Sequence, residues 1–171
     1  GKLTREIPAG DGAVDELNAG FLKKNFEGQP AKLATAKKVK EATEAELAKV
    51  RTAFFEQRYL AARELLEAVG HDIQDARNGV VEVETCLKQL KGNREHAKAT
   101  VASADDLAKS LQKKLEANKF TTSATTDDAY SRLTPNLSRQ KQDVAQEITD
   151  WPAAHTASDQ ILAAYKAVDT A

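Results

Sequence analysis

The chain has 171 residues, with 25 Lys and Arg against 26 Asp and Glu, a net charge of -1 and only 5% aromatic residues. The balanced charge argues against binding to duplex DNA, which needs a surplus of basic side chains. A single cysteine excludes a disulfide scaffold and a cysteine-rich zinc site. A sequence rich in Ala, Glu, Lys, Leu and Arg is typical of long helices or coiled coils, so we expect one all-α domain and no nucleic-acid partner.

Residues 1–30 are expected to form an irregular N-terminal segment, because prolines and glycines interrupt them. Within this segment the sequence predicts a short amphipathic helix from Val14 to Phe26, with Asp11 as its N-cap. The start of the chain lacks the apolar run of a signal peptide. The absence of an initiating methionine leads us to expect a processed or truncated chain.

Residues 31–91 are predicted to form one long helix. Pro30 suits the first helical turn, and apolar residues then recur at steps of three and four. Over 73–90 the steps follow the strict a/d spacing of a heptad repeat. We therefore place Gly70 and Gly79 inside the helix, at a cost of about 1 kcal/mol each relative to Ala.

Gly92 and Asn93 are the predicted turn after this helix. Glycine can take the left-handed conformation that closes a helix, and asparagine is a good N-cap for the next one. The second helix, residues 94–118, again shows heptad-spaced Ala, Val and Leu. Because the register continues across Gly92-Asn93, one unbroken helix is the alternative.

Residues 119–133 are predicted to be a loop, since their first part is rich in Thr and Ser. A third helix over 134–170 would begin at Thr134-Pro135, an N-cap followed by a proline at the first helical position. Pro152 predicts a kink or brief interruption near Trp151. The expected fold is an elongated three-helix bundle, about 90 Å long, built on a long antiparallel helical hairpin.

No hydrolase, nucleotide-binding or zinc-protease motif occurs in the sequence, so we expect no enzyme, no catalytic residue and no cofactor. His71–Asp75 and His155–Asp159 are i,i+4 pairs that could each share a helix face. No third ligand lies near either pair in the sequence, and the prediction is therefore no metal site. Cys86 is adjacent to an a/d position and is predicted to be a structural residue.

Phe54 and Phe55 are the candidate partner contacts. With Tyr59 they form the densest aromatic cluster, and the expected location of the cluster is the bundle core. Two consecutive phenylalanines cannot both face one seam, however, so one should cover another helix, the N-terminal segment or a partner. Separately, Asn136 begins the sequon Asn136-Leu137-Ser138 and is a candidate glycosylation site.

The layout of the chain resembles one known group of proteins. The segment Val83-Glu84-Thr85-Cys86-Leu87-Lys88-Gln89-Leu90-Lys91-Gly92-Asn93 ends a long alanine-containing helix and leads into a second, alanine-rich one. This is similar to the trypanosome surface helical bundles: the glutamic acid/alanine-rich coat proteins, the haptoglobin–haemoglobin receptor and the variant surface glycoproteins. The resemblance covers residues 31–118. Several members of this group carry disulfides, whereas this chain has one cysteine. In cysteine content the alanine-rich coat proteins are therefore the best match.

The resemblance implies an extracellular, GPI-anchored glycoprotein that packs laterally with its own copies as a coat on the parasite cell surface. Its only membrane contact would be a lipid anchor beyond Ala171, and the Gly92-Asn93 turn would lie near one tip. Two alternatives stay open: a surface receptor or adaptor that binds a protein ligand, and an intracellular coiled-coil oligomer. A large exposed apolar patch would favour binding, whereas a charged surface would favour a coat.

Overall fold

The computed structural model describes residues 1–117 and 124–170. The described residues form five α-helices and a short 3-10 turn, with no strand among them, which confirms the predicted all-α class. The elements are α1 (Lys2–Gly20), the 3-10 turn Lys23–Asn25, α2 (Gln29–Phe55), α3 (Tyr59–Ala117), α4 (Ala124–Ala145) and α5 (Trp151–Asp169). None of the described helices is both long and apolar enough to cross a bilayer.

The N-terminal segment is helical from its second residue, so the prediction of an irregular stretch with a short helix over 14–26 is wrong. The helix α1 contains Pro8 and buries one continuous face. The buried residues follow steps of three and four: Leu3, Ile7, Gly10, Ala13 and Leu17. The exposed Pro8 has no N–H and cannot make the backbone hydrogen bond of a helix. Burial of the apolar face offsets this loss.

The long helix predicted over 31–91 is interrupted, because α2 ends at Phe55 and α3 begins at Tyr59. Gln57 has the positive φ of 59°, and its N–H donates to Phe54 O over 3.0 Å. The N–H of Arg58 reaches back to Ala53 O over 2.9 Å. These two bonds are the Schellman pattern that closes helices. From this turn α2 and α3 run antiparallel, and Lys32 of α2 forms an ion pair with Glu82 of α3.

The turn predicted at Gly92-Asn93 is wrong, and the separate helix over 94–118 with it. Both residues lie inside α3, which agrees with the alternative of one unbroken helix. The reason is the continuous heptad seam, whose residues on both sides are buried: Leu87, Leu90, Ala97, Val101 and Ala104. Gly92 is exposed and adopts helical rather than left-handed backbone geometry, so it acts as a tolerated interior glycine.

The chain divides into two compact units. Unit 1 comprises Gly1–Ala19 and Phe26–Lys88, and in it α1, α2 and the first part of α3 contact one another. The guanidinium of Arg77 on α3 holds both carboxylate oxygens of Glu6 on α1, at 2.7 and 2.8 Å. The core of this unit includes Leu17, Leu33 and Val80, which are almost fully buried.

Unit 2 comprises Gly20–Asn25 and Gln89–Ala171, and in it α4 and α5 pack against the second part of α3. Trp151 and Tyr165 of α5 are fully buried. The amide of buried Gln140 on α4 donates to Ala154 O over 2.9 Å and to Ser158 Oγ over 3.2 Å. Tyr130 on α4 donates its hydroxyl proton to Ala108 O on α3 over 3.2 Å. Apolar burial and a few satisfied polar contacts thus hold these three segments together.

The bounds predicted for the last helix are also wrong. Residues 124–133, expected to be loop, belong to α4, and Pro135 lies inside that helix instead of starting one. The part of the predicted loop over 119–123 lies outside the described residues, as does residue 118, the predicted end of the second helix. The interruption expected near Trp151 is confirmed: Asp150 caps α5 by accepting from Ala153 N, with Pro152 in the first helical turn, where a missing N–H costs nothing.

Candidate functional site

An exposed group of large apolar side chains surrounds the α2–α3 turn. Phe54 is 57% exposed, Phe55 81%, Tyr59 58% and Leu60 70%. We call these four residues the apolar cluster. The helix reversal at Gln57 brings the end of α2 beside the start of α3, and the small residues Ala53 and Ala62 face inward there. The large residues are therefore left on the outside.

The aromatic rings of the apolar cluster contact one another. Phe54 lies edge-on to Phe55, with ring centroids 6.3 Å apart, and edge-on to Tyr59 at 5.4 Å. This is the preferred geometry for aromatic pairs. The expectation that these rings fill the bundle core is wrong, because the reversal at Gln57 turns them to solvent. Phe54 and Phe55 stay candidate partner contacts.

Two local ion pairs lie beside the apolar cluster. Arg58 forms an ion pair with Glu56, and Arg63 holds Glu67 at 2.8 Å one helical turn away. Each cation in these pairs is matched by its own carboxylate. The cluster is therefore an apolar surface with a rim that has no marked excess of either sign, an arrangement typical of protein–protein interfaces.

Asn136, the glycosylation candidate, is exposed on α4, while its neighbour Leu137 is buried. Asn136 lines a shallow groove of about 550 Å³ between α4 and α5, together with Arg139 and Asp143. Its glycosylation stays a prediction. Asn93, predicted as a turn residue, instead contacts His155 from the interior of α3.

Three residues of unit 2 form a cluster that sequence reasoning did not assemble. His96 comes from α3, and His155 and Asp159 lie one turn apart on α5; we call them the histidine cluster. His96 Nε2 donates to Asp159 Oδ1 over 2.7 Å, and His155 Nε2 lies 3.3 Å from Asp159 Oδ2. The two imidazole centroids are only 4.0 Å apart. One nitrogen or oxygen from each residue lies within 4.8 Å of the other two.

The surroundings of the histidine cluster orient its groups. His155 Nδ1 lies 3.0 Å from Asn93 Oδ1, and as a donor there it leaves Nε2 facing Asp159. The hydrogen bond from His96 lowers the pKa of Asp159 below its ordinary value, burial opposes this, and the charges of both histidines lower it further. About half of the side-chain surface of His96 and Asp159 is exposed, and a third of that of His155. Water therefore reaches the cluster.

The sequence showed the pair His155–Asp159 but not the third member. His96 is separated from Asp159 by 63 positions. With a turn predicted at Gly92-Asn93, the sequence did not define which helix face carries His96. The signal that could have found it is the heptad register. His96 directly precedes the buried seam residue Ala97, which places it at the border of the face that another helix covers.

No protein-family model matches the chain, and no curated protein or solved structure was found to be significantly similar to it. The resemblance to trypanosome surface proteins therefore depends on the alanine-rich helical sequence pattern of residues 31–118. The turn at Gly92-Asn93, one element of that resemblance, is absent from α3.

Proposed function

We propose that the protein is a non-enzymatic, surface-displayed helical protein that binds a protein ligand through the apolar cluster. The observation that carries this proposal is the exposure of four large apolar side chains at one helix reversal. Isolated exposed apolar residues are ordinary on protein surfaces, whereas a contiguous group marks an interaction site. Membrane attachment would come from a lipid anchor outside this chain.

Residue chemistry also indicates what the ligand presents. Aromatic side chains are enriched among the residues that dominate binding energy, and Phe55 projects with most of its surface free. The locally paired rim charges, Arg58 with Glu56 and Arg63 with Glu67, offer no net charge for a strongly acidic or basic partner. The ligand is therefore a protein with an apolar pocket and a weakly charged rim.

Site-specific photo-crosslinking on intact source cells tests this function. The soluble chain carrying Phe55→benzoylphenylalanine should form one discrete adduct with a surface protein. The matched control is Val81→benzoylphenylalanine, since Val81 is also about half exposed in unit 1 but stands outside the cluster. Unmodified chain should compete for the adduct, and the variant with Phe55→Ser and Leu60→Ser should not.

The double variant should keep its fold, because substitutions at exposed positions usually change stability by less than about 0.5 kcal/mol. Circular dichroism checks this before the competition is measured. Equal adducts from positions 55 and 81, or competition by the folded double variant, would contradict binding through the apolar cluster.

A shielding coat is the second candidate, and the charged outer faces favour it. Ion pairs between helices occur in both units, as with Arg77 and Glu6 or Lys141 and Asp105, and 30% of residues are charged. Such a surface keeps densely packed copies soluble. This proposal includes lateral packing with copies of the same chain and a parasite cell surface as the location.

Enzymatic release of the anchor tests the coat proposal. Intact source cells treated with a phosphatidylinositol-specific phospholipase C should shed the protein, and a membrane-impermeant biotin reagent should label it beforehand at coat-like abundance. Retention in the cytoplasm, with no labelling and no release, would overturn both surface proposals and favour the intracellular oligomer.

A further inference from the structure

We propose that the histidine cluster is a binding site for a late first-row divalent cation of the Zn²⁺ type. Two imidazoles and one carboxylate are the protein ligands that such ions take in sites with an open position. His96, His155 and Asp159 supply this set from two helices, with their ligand atoms within 4.8 Å of one another.

The distances in the cluster fit a metal with little movement. Zinc lies about 2.0–2.2 Å from imidazole nitrogen and carboxylate oxygen, which places neighbouring tetrahedral ligands roughly 3.3 Å apart. Asp159 Oδ2 lies 3.3 Å from His155 Nε2 and already matches this value, whereas Asp159 Oδ1 lies 2.7 Å from His96 Nε2 and must move apart from it. A small rotation of the side chains opens the centre. The proton that now joins His96 Nε2 to Asp159 passes to Nδ1 or to solvent when the ion binds.

The ligands are held by a feature common in metal sites, a hydrogen bond to the nitrogen that does not bind the ion. Asn93 Oδ1, 3.0 Å from His155 Nδ1, fixes the ring so that Nε2 faces Asp159. Such outer contacts orient ligating histidines and favour the required tautomer. The exposure of the three side chains lets water complete the coordination.

The chain contains its own comparison for this site. His71 and Asp75 on α3 repeat the i,i+4 spacing of His155 and Asp159, and both are exposed. Among the described residues, no group of three metal-ligating side chains includes them. A surface pair of this kind lacks the third ligand, so it serves as a matched control for adventitious binding.

The site joins α3 to α5, and its occupation stabilises unit 2. An ion that binds only the folded state raises the free energy of unfolding. The increase grows with the logarithm of the ratio of ion concentration to dissociation constant, and the unfolding temperature rises with it. Hard cations behave differently, since Mg²⁺ prefers oxygen ligands in octahedral geometry. The proposed site therefore discriminates between Zn²⁺ and Mg²⁺.

Calorimetry with ZnCl₂ on the metal-stripped full chain is the test. One ion should bind per chain, Mg²⁺ should not compete, and the unfolding temperature should rise by several degrees. His96→Gln and Asp159→Asn each alter a ligand, so each should weaken binding by more than the roughly 10–100-fold that loss of an outer contact costs and should abolish the thermal shift. His71→Gln should bind like the unaltered chain. Equal losses in His71→Gln and His96→Gln, or none in either, would overturn the proposal.

A second measurement needs no substitution at the site, which covers the case of a variant that does not fold. The chain has only three histidines, so their ring signals can be followed individually by NMR. Added Zn²⁺ should shift the signals of His96 and His155 and leave those of His71 in place. Similar shifts at all three rings would mean adventitious binding only and would refute the site.

Discussion

At the scale of single residues, Gln57 forms the reversal between α2 and α3. It is the non-glycine residue with positive φ among those described, at 59°, in a position where helices usually end with glycine. The left-handed conformation costs about 1–2 kcal/mol for an L-residue with a side chain. The hydrogen bonds from Gln57 and Arg58 back to the end of α2 and the packing of α2 on α3 offset that cost.

Replacing this residue should therefore make the protein more stable. Gln57→Gly is expected to raise the free energy of unfolding by about 1 kcal/mol, because glycine removes the left-handed strain. Urea denaturation measures the change. The adjacent Glu56→Gly is the control: Glu56 has an ordinary φ of -79°, so glycine there should give no gain. A loss of stability in Gln57→Gly would contradict the Schellman geometry of the turn.

At the scale of helices, periodicity was informative and turn chemistry was misleading. The heptad seam correctly placed Val80, Val83 and Leu87 in the core, because burial follows the helical period. The α2–α3 reversal could not be read, since the turn Glu56-Gln57-Arg58 contains neither glycine, proline nor asparagine. Gly92-Asn93 carries the usual turn residues, but the seam on either side of it keeps α3 continuous.

The candidate sites follow the same logic. The pair His155–Asp159 is visible as a local i,i+4 spacing, while His96 joins it only through the packing of α5 on α3. Phe54 and Phe55 were recognisable as an unusual aromatic pair. Their exposure depends on the reversal two residues later, so an uninterrupted helix placed them in the core. The position of His96 and the exposure of Phe54 and Phe55 depend on tertiary packing, which the local sequence pattern does not show.

The continuity of α3 at Gly92 can be tested by substitution. Gly92→Ala should stabilise the protein by about 1 kcal/mol, since alanine is the better residue inside a helix and its Cβ would meet open space. Gly10→Ala is the contrasting variant: its Cβ would lie 2.8 Å from Leu33 Cδ1 and 3.1 Å from Val80 Cγ1, so crowding should remove the gain. Thermal unfolding measures both, and a loss at Gly92 would indicate a left-handed turn.

At the scale of the whole molecule, acidic groups in both units depend on cationic partners. The hydrogen bond from Arg77 lowers the pKa of Glu6. Hydrogen bonds from Lys109 and then Lys141 lower the pKa of Asp105, and that from Lys24 lowers the pKa of Asp150. A carboxylate whose pKa is lower in the folded than in the unfolded chain stabilises the fold above its ordinary pKa. That contribution is lost as the pH falls through the folded value.

We therefore expect the protein to be less stable at pH 3 than at pH 7, as measured by urea unfolding at each pH. Asp105→Asn should be less stable than the unaltered chain at pH 7, and the difference should shrink as the pH is lowered. Asp106→Asn is the neighbouring control, because Asp106 is 83% exposed and lies 4.0 Å from Lys109. A pH-independent effect of Asp105→Asn would show that the ion pairs with Lys109 and Lys141 contribute nothing to stability.

The position of the only tryptophan gives the molecule an uneven optical response. Trp151 is fully buried in unit 2, and unit 1 has no indole of its own. Fluorescence excited selectively at tryptophan therefore reports the unfolding of one unit, whereas far-ultraviolet circular dichroism sums the helices of both. Superimposable transitions by the two methods would describe a single cooperative event, and separated transitions would assign the fluorescence-detected step to unit 2.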